Sequence, residues 1–287
     1  MNNQENIEIP KNILLKRFFS GYSKNNPFAN PSWLRASVYE LFNYVRSTDS
    51  LQHRFLEIEV KLGFFSFNGQ CKLYSYLEDF IKLPKIENDQ NNNFQFNSYV
   101  SEGQFYSLWS MIEEECKYNQ EILKIEPLNS KEIIYQSGKR KSTITTKNGN
   151  PKIEIIIKQD KYNINIRNNK NDMRISICKE FITDITSEDI AITERNKFRV
   201  SYQFRFFRLD FSIVNSKNIP DDFTNNNTFE IEFELNDIKT LCETTKNFTD
   251  YESFEILMRR YIENILCFYY AIDNNTSLFE KGRLNHD

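Results

Sequence analysis

Strict alternation of apolar and charged residues along several segments limits the folds open to this chain more than any other feature. In the segment 56–62 (LEIEVKL), apolar residues hold the even positions, whereas Glu57, Glu59 and Lys61 hold the odd ones. Because successive side chains of a β-strand point to opposite faces, this segment predicts a strand with one apolar and one charged face. The same pattern predicts strands at 143–146, 152–155, 173–181, 195–204, 207–214 and 229–235, with Asn148-Gly149 as a hairpin turn.

Apolar residues at helical spacing predict three amphipathic helices. The first has Asn30 as its N-cap and Pro31 as its first residue, and the second begins at Ser101 in a capping box with Gln104. The third follows Asp250 near the C-terminus. Helices toward both ends and about eight strands between them predict an α+β protein with a mainly antiparallel sheet, either open or closed. No domain boundary is expected inside this region.

Composition and motif spacing exclude several kinds of chemistry. The two histidines, His53 and His286, give almost no basis for histidine catalysis or a histidine-built zinc site. A P-loop is excluded because Gly138-Lys139 is followed by Arg140 rather than Ser or Thr. The formal net charge of −3 provides no bulk attraction for nucleic acid. Scattered cysteines without a CxxC pair favour buried thiols in a reducing compartment, and no segment has the pattern of a signal peptide or membrane span.

The charged faces of the predicted strands carry both acids and bases. Carboxylates two residues apart on a strand are separated by about 6.6 Å, so their repulsion is about 0.6 kcal/mol in water but about 2.5 kcal/mol at an effective dielectric of about 20. An open sheet could expose this face to water, whereas an enclosed face needs cations beside the acids. Carboxylates suited to Mg²⁺ or Mn²⁺, next to Lys and Arg suited to phosphate oxygens, favour a metal-dependent phosphate site.

Three motifs resemble a known family when they are taken together. They are 57–63 (EIEVKLG), 195–201 (RNKFRVS) followed by 208–210 (RLD), and 229–234 (FEIEFE). Their order is similar to that in the yeast-type mRNA 5′-triphosphatases of fungi, protozoa and viruses, a family of triphosphate tunnel metalloenzymes. The similarity spans roughly residues 28 to 272. Thiamine-triphosphatase and class IV adenylyl-cyclase relatives share a single Glu-x-Glu-x-Lys motif, but the ordered combination is more specific.

The resemblance implies a fold and a set of domain limits. The expected fold is a closed antiparallel eight-stranded β-barrel around a charged tunnel, with helices packed on the outside. The expected organisation is an N-terminal extension at 1–27, a tunnel-barrel catalytic domain at 28–272 and a C-terminal tail at 273–287.

The resemblance also implies roles for individual residues. Positions that match holders of the divalent cation, Mg²⁺ or Mn²⁺, are Glu57, Glu59 and Glu234. Positions that match catalytic residues are Glu180, which orients the attacking water, and Glu232, Lys197 and Arg199. Positions that match phosphate-binding residues are Arg140 (or its neighbours Lys139 and Lys141), Lys158, Arg195, Lys197 and Arg199. Positions that match residues supporting the tunnel are Lys61, Arg174, Asp210 and Glu230.

The function implied by the resemblance is removal of the γ-phosphate from the 5′-triphosphate end of nascent RNA, the first step of mRNA capping. The implied partners are the RNA end and an mRNA guanylyltransferase, in the nucleus or, for a viral protein, the cytoplasm; a homodimer is left open. One alternative is a tunnel enzyme that acts on tripolyphosphate, a nucleoside triphosphate or thiamine triphosphate. Another is a noncatalytic β-barrel that binds calcium or another ligand.

Overall fold

A computed structural model describes residues 32–67, 81–82, 94–145, 150–167, 171–219, 227–236, 238 and 251–283. The α-helices within these ranges are α1 (Ser32–Ser47), α2 (Glu102–Cys116) and α3 (Tyr251–Arg283), and a 3₁₀ helix spans Ser50–Phe55. The first five strands are β1 (Leu56–Phe67), β2 (Ile81–Lys82), β3 (Phe94–Asn97), β4 (Leu123–Tyr135) and β5 (Lys139–Ile144). The others are β6 (Lys152–Arg167), β7 (Asp172–Ile182), β8 (Ala191–Gln203), β9 (Phe207–Asn218) and β10 (Asn227–Leu235).

Eight of these strands close into an antiparallel barrel. Around the ring the order is β1, β7, β6, β5, β4, β8, β9 and β10, and β10 pairs back onto β1. The closing pair aligns Glu59 with Glu234 and Lys61 with Glu232. The short strands β2 and β3 pair with β6 and β1 outside the ring. The closed eight-stranded barrel expected from the family resemblance is therefore confirmed, and the open sheet is not what forms.

The hydrophobic core lies outside the barrel, between its wall and the helices. The even positions of β1, including Ile58, Val60 and Leu62, are fully buried in one apolar cluster with residues of all three helices. Helix α3 is also fastened to the wall by a buried hydrogen bond, because the Tyr261 hydroxyl donates to the carbonyl oxygen of Phe233 in β10 at 2.7 Å. The odd positions of β1 point the other way, into the barrel.

Two of the predicted helix starts lie within the described residues, and both are confirmed. The Ser101 hydroxyl accepts a hydrogen bond from the backbone N–H of Gln104 at 3.2 Å, while the Gln104 side chain accepts from the Ser101 N–H at 3.1 Å. Helix α3 begins at Tyr251, directly after Asp250. The predicted features that lie outside the described residues are the N-terminal extension at 1–27, the cap at Asn30-Pro31 and the turn at Asn148-Gly149.

Strand β6 changes the face to which its even-numbered side chains point. A register shift between Gln159 and Tyr162 contains Asp160, whose φ of 51° lies in the left-handed region. Before the shift, Lys158 points into the barrel, whereas after it Ile164 belongs to the outer core. The bulge therefore moves the even-numbered positions of β6 from the tunnel face to the core face.

Strand β1 passes very close to β3 at Gly63. A Cβ atom on residue 63 would lie 2.0 Å from the carbonyl oxygen of Asn97. The next residues along β1 pair with β3, starting with Phe64 opposite Asn97. Only a residue without a side chain allows this approach, which explains the glycine that ends the first motif.

Candidate active site in the barrel interior

The interior of the barrel contains a cavity of about 870 Å³. The described residues that line it include equal numbers of acids and bases. The acidic residues are Glu57, Glu59, Glu132, Glu154, Glu180, Glu232 and Glu234. The basic residues are Arg54, Lys61, Arg140, Lys158, Lys197, Arg199 and Arg208. The charged face predicted from the alternation is therefore the wall of an enclosed space.

Lys158 places its ammonium group among three of the predicted site carboxylates. Its Nζ lies 2.7 Å from Glu57, 3.6 Å from Glu59 and 3.9 Å from Glu180. Burial alone would raise the pKa of Glu57, but the charge of Lys158 and its hydrogen bond hold that pKa below its ordinary value. Burial and the neighbouring Glu57 raise the pKa of Glu180. Lys158 is therefore the cation that offsets the negative charge gathered in this part of the wall.

Glu59 and Glu234 are directly opposed where the barrel closes. Like charges in such a pair are destabilising, because the Cβ atoms are only about 5 Å apart. Arg208 donates a hydrogen bond to Glu234 at 2.5 Å. Burial nevertheless raises the pKa of Glu234 to about 7, since Arg208 offsets the effect only in part and Glu57 and Asp210 add repulsion. An additional cation at this position would relieve the repulsion.

The predicted cation holders do not form a preassembled metal cage. In the described ranges, no group of three acidic, histidine or cysteine side chains converges closely enough to hold an ion. Glu57, Glu59 and Glu234 share one cavity, but Lys158, Lys61 and Arg208 lie against them. Their chemistry still fits a hard divalent cation, because all three offer carboxylate oxygens in an enclosed and acid-rich corner.

Lys197 and Arg199 are held between acids on the opposite side of the cavity. The Lys197 side chain is only 4% exposed, and its Nζ lies 3.4 Å from Glu230 and 3.5 Å from Glu232. The Arg199 guanidinium lies 3.0 Å from Asp210 and 3.4 Å from Glu232. Alternating charges on β8, β9 and β10 thus fix both cations in position without removing them from the cavity wall.

Arg195 and Lys61 extend this ionic network in two directions. The Arg195 guanidinium lies 2.8 Å from Glu230 and 3.7 Å from Glu132, and Arg195 does not line the cavity. The Lys61 ammonium lies 2.7 Å from Glu232. Burial would lower the pKa of Lys61, but its acidic neighbours hold the pKa well above the ordinary value. Lys61 therefore stays charged.

Arg140 is the residue of the basic triplet 139–141 that enters the cavity. Its guanidinium lies 4.0 Å from Glu180. Lys139 instead pairs with Asp189 at 2.8 Å, and neither Lys139 nor Lys141 lines the cavity. The register of β5 thus agrees with the match to Arg140.

Arg174 lies apart from the cavity, although it was predicted to support the tunnel. Its guanidinium carbon is 4.5 Å from the ring centroid of Phe96, and its Nε donates to the Asn165 side chain at 2.9 Å. Burial lowers the pKa of Arg174 to about 10. The other predicted support residues that do not line the cavity, Asp210 and Glu230, still contact cations that do.

Four charged residues of the cavity wall were not predicted as site residues. Arg208 begins the 208–210 (RLD) motif, but the resemblance gave a role only to Asp210 of that motif. Glu132 lies in β4, where a register shift hides the alternation. Glu154 was seen only as part of a hairpin strand, and Arg54 precedes the first strand.

Cys178 lies inside the barrel rather than in the outer core. Its Sγ is 3.6 Å from Glu57 Oε2, and the residue is buried, so the expectation of a buried thiol is confirmed here. Within the described ranges, Cys116 and Cys178 form no disulfide. Among the described helices, none combines the length and the apolar character required to cross a membrane.

The barrel has solved counterparts. The RNA triphosphatase Pct1 of S. pombe superposes with a TM-score of 0.67 at 14% identity, over 83% of this chain and 93% of that one. Pct1 in complex with the Spt5 CTD gives the same TM-score at 15% identity, over 83% of this chain and 92% of that one. The triphosphatase of the mimivirus capping enzyme aligns with a TM-score of 0.40 at 16% identity, over 75% of this chain and 95% of that one.

At such low identities, the likeness to Pct1 supports the barrel fold alone. No curated protein sequence matches the chain. A match to a protein family covers residues 33–274, which is most of the chain, and that family is the mRNA triphosphatases, described as "mRNA capping enzyme, beta chain". The chain therefore belongs to the mRNA triphosphatase family and is an enzyme of the RNA 5′-triphosphatase class.

Proposed function

We propose that this protein removes the γ-phosphate from the 5′-triphosphate end of nascent RNA in a reaction that depends on Mg²⁺ or Mn²⁺. Water is the second substrate, and the products are a 5′-diphosphate RNA end and inorganic phosphate. The observation that carries the proposal is an enclosed cavity whose wall is built from acids and bases on eight strands.

Charge balance in this cavity explains why a divalent cation is needed. The seven described bases and seven described acids of the wall cancel when all are ionised. A triphosphate end adds several negative charges that such a wall cannot neutralise by itself. Glu57, Glu59 and Glu234 would hold the cation, and when bound it would neutralise phosphate charge and help to orient the chain of phosphates.

Fixed cations of the wall carry out the rest of the charge neutralisation. Phosphoryl transfer requires positioning and electrostatic stabilisation more than a nucleophilic side chain. Lys197 and Arg199 are held in place by Glu230, Glu232 and Asp210, so they can meet the charge that develops on the transferred phosphoryl group without rearranging.

Glu180 is the proposed residue that orients and deprotonates the attacking water. Burial and Glu57 raise its pKa, which makes the carboxylate a better proton acceptor. Arg140 and Lys158 lie 4.0 and 3.9 Å from the Glu180 carboxylate, so both can contact a phosphate next to it. The water and the phosphoryl group would then meet between these three side chains.

The proposed cellular role is the first step of mRNA capping, carried out with an mRNA guanylyltransferase that acts on the 5′-diphosphate product. The proposed location is the nucleus, or the cytoplasm if the chain is viral. A homodimer and the domain limits at residues 27 and 272 stay predictions. Sedimentation analysis of the full chain would measure the oligomeric state.

Release of phosphate from γ-labelled triphosphate-ended RNA tests the proposal. The wild-type protein is expected to release phosphate with Mg²⁺ or Mn²⁺ and not with EDTA. Glu59→Gln and Glu234→Gln are expected to lower the rate by at least about 100-fold, while circular dichroism shows both variants folded. Glu194→Gln is the matched control, because Glu194 pairs with Lys131 and Lys217 and does not line the cavity.

Other outcomes of this assay separate the alternatives. Hydrolysis of tripolyphosphate or nucleoside triphosphates but not of RNA ends would keep the tunnel chemistry and reject the capping role. Metal-independent hydrolysis would reject the role given to the three glutamates. Absence of hydrolysis with every triphosphate would favour a binding barrel instead.

A further inference from the structure

Among the described residues, Arg54 is the cation of the cavity wall without an acidic partner. Every other basic residue of the described lining lies within 4.0 Å of a carboxylate. Arg54 forms no ion pair with any described residue, and it is exposed. Among the described lining residues, Arg54 is therefore the cation whose charge is not already offset by a wall carboxylate, so it can bind an outside anion directly.

The backbone holds Arg54 and its neighbour Phe55 in a fixed place. Both residues end the 3₁₀ helix, which Asp49 caps by accepting a hydrogen bond from the Leu51 N–H at 2.9 Å. The buried His53 ring contacts the end of helix α1, with Nε2 at 3.2 Å from the carbonyl oxygen of Val45. These contacts therefore fix the backbone from which the side chains of Arg54 and Phe55 project.

Phe55 adds an aromatic surface to this cation. The Arg54 guanidinium carbon lies 4.6 Å from the Phe55 ring centroid. The ring centroid of Phe181, a residue of strand β7, lies 4.7 Å from that of Phe55. Both Arg54 and Phe55 line the cavity. A guanidinium plane over an aromatic ring is a surface on which an unpaired nucleobase can stack, and the guanidinium can also bind a phosphodiester.

The order of residues along β1 gives the direction in which a substrate would lie. Glu57 and Glu59 come after Arg54 in the chain, and their side chains are only 16% and 13% exposed. A triphosphate whose γ-phosphate reaches these acids can extend its 5′-terminal nucleotide toward Arg54 and Phe55, because both line the same cavity and Arg54 is exposed. This orientation rests on the proposed function.

We propose that Arg54 and Phe55 form a binding site for the 5′-terminal nucleotide of the RNA. The phosphodiester of that nucleotide binds the Arg54 guanidinium, and its base packs against the guanidinium and the Phe55 ring. The site gives the enzyme a preference for RNA ends over inorganic tripolyphosphate, which has no group to place there. Arg54 acts in substrate binding and takes no part in the bond cleavage.

Steady-state kinetics with three substrates test this site. Arg54→Met is expected to lower kcat/KM for triphosphate-ended RNA about tenfold, equivalent to about 1.4 kcal/mol, mainly through KM. The same variant is expected to hydrolyse tripolyphosphate within about twofold of the wild-type rate, because tripolyphosphate has no nucleotide for Arg54 to contact. Arg205→Met is the matched control, because Arg205 lies over the Phe206 ring at 5.2 Å and neither residue lines the cavity.

The results divide clearly between support and rejection. A loss for RNA alone supports the site and identifies the phosphodiester as the main contact, whereas a loss for RNA and nucleoside triphosphates identifies the nucleoside. Equal losses for all three substrates, or no loss for RNA, overturn the site. Fluorescence anisotropy of a labelled triphosphate-ended RNA in EDTA gives a readout that needs no turnover. The proposed site is also overturned if Arg54→Met binds this RNA as tightly as the wild type does in the anisotropy assay, or if the wild type does not bind it.

If the wild type hydrolyses no triphosphate, the proposed function fails. The anisotropy comparison then still decides whether Arg54 contributes to RNA binding.

Discussion

Replacing Glu234 by glutamine should stabilise the metal-free protein while it abolishes activity. The pKa of this carboxylate is raised from 4.5 to about 7 by burial and by the repulsion of neighbouring acids. Keeping the side chain ionised in the folded state therefore costs about 3 kcal/mol at pH 8. Because the side chain is 32% exposed, solvent screening reduces this figure, and the expected gain for Glu234→Gln is about 1–2 kcal/mol. The glutamine oxygen can still accept a hydrogen bond from Arg208.

The sign of the pH dependence follows from the two protonation states. Between pH 4.5 and about 7, the folded protein retains a proton that the unfolded chain has released, so wild-type stability falls as pH rises through this window. The stability of the glutamine variant does not fall in this way, because glutamine does not titrate. The difference in stability between the two proteins should therefore be small at pH 5 and reach its full value at pH 8.

Urea unfolding in EDTA, followed by circular dichroism at pH 5 and pH 8, measures the effect. Glu194→Gln is the control of opposite sign, because Lys131 and Lys217 hold the pKa of Glu194 below its ordinary value and its removal should not stabilise the protein. If Glu234→Gln is less stable than the wild type at pH 8, the ion pair with Arg208 outweighs the repulsion, and the argument for a cation site at this position loses its basis.

Three further predictions concern the wall, the core and the metal. Gly63→Ala should destabilise the fold by at least about 2 kcal/mol, since its Cβ would meet a β3 carbonyl at 2.0 Å. Gly103→Ala, at an open position of helix α2, should instead be neutral or stabilising, and urea unfolding compares the two. Tyr261→Phe should lower stability by about 1–2 kcal/mol, because it leaves the buried Phe233 carbonyl without this donor; a thermal shift of zero would contradict that. Mn²⁺ at about 100 times its Kd should stabilise the wild type by about 2.7 kcal/mol in thermal unfolding, and an equal gain in Glu59→Gln would exclude that ligand.

The inner wall of β1 was predictable because its residues obey a period of two without interruption. Glu57, Glu59 and Lys61 needed no knowledge of neighbouring strands to be placed on one face. The closure of the barrel was not predictable in that way, because the pairing of Glu59 with Glu234 joins residues far apart in the chain. The resemblance to a family supplied that long-range information.

Arg174 shows a second limit of alternation as a guide. Its parity with Ser176 and Glu180 gives its face of the strand, but parity carries no information about height along the barrel. Six residues of strand separate Arg174 from Glu180, which is about 20 Å. The position of Phe96 beside Arg174 depends on β3, and no sequence pattern indicated that strand.

The two faces of a barrel strand are under different requirements: one face is needed for folding and the other for catalysis. On β1, Ile58, Val60 and Leu62 face the helices, and the residues between them face the cavity. In a library of single substitutions, loss of folded protein and loss of activity should therefore alternate along β1. Changes at positions 58, 60 and 62 should reduce the amount of folded protein, whereas changes at the cavity-lining positions 57, 59 and 61 should leave abundance intact and remove turnover. Such a protein can acquire a new substrate preference without changes in its core packing, because the core-facing and cavity-facing side chains of a strand contact different residues.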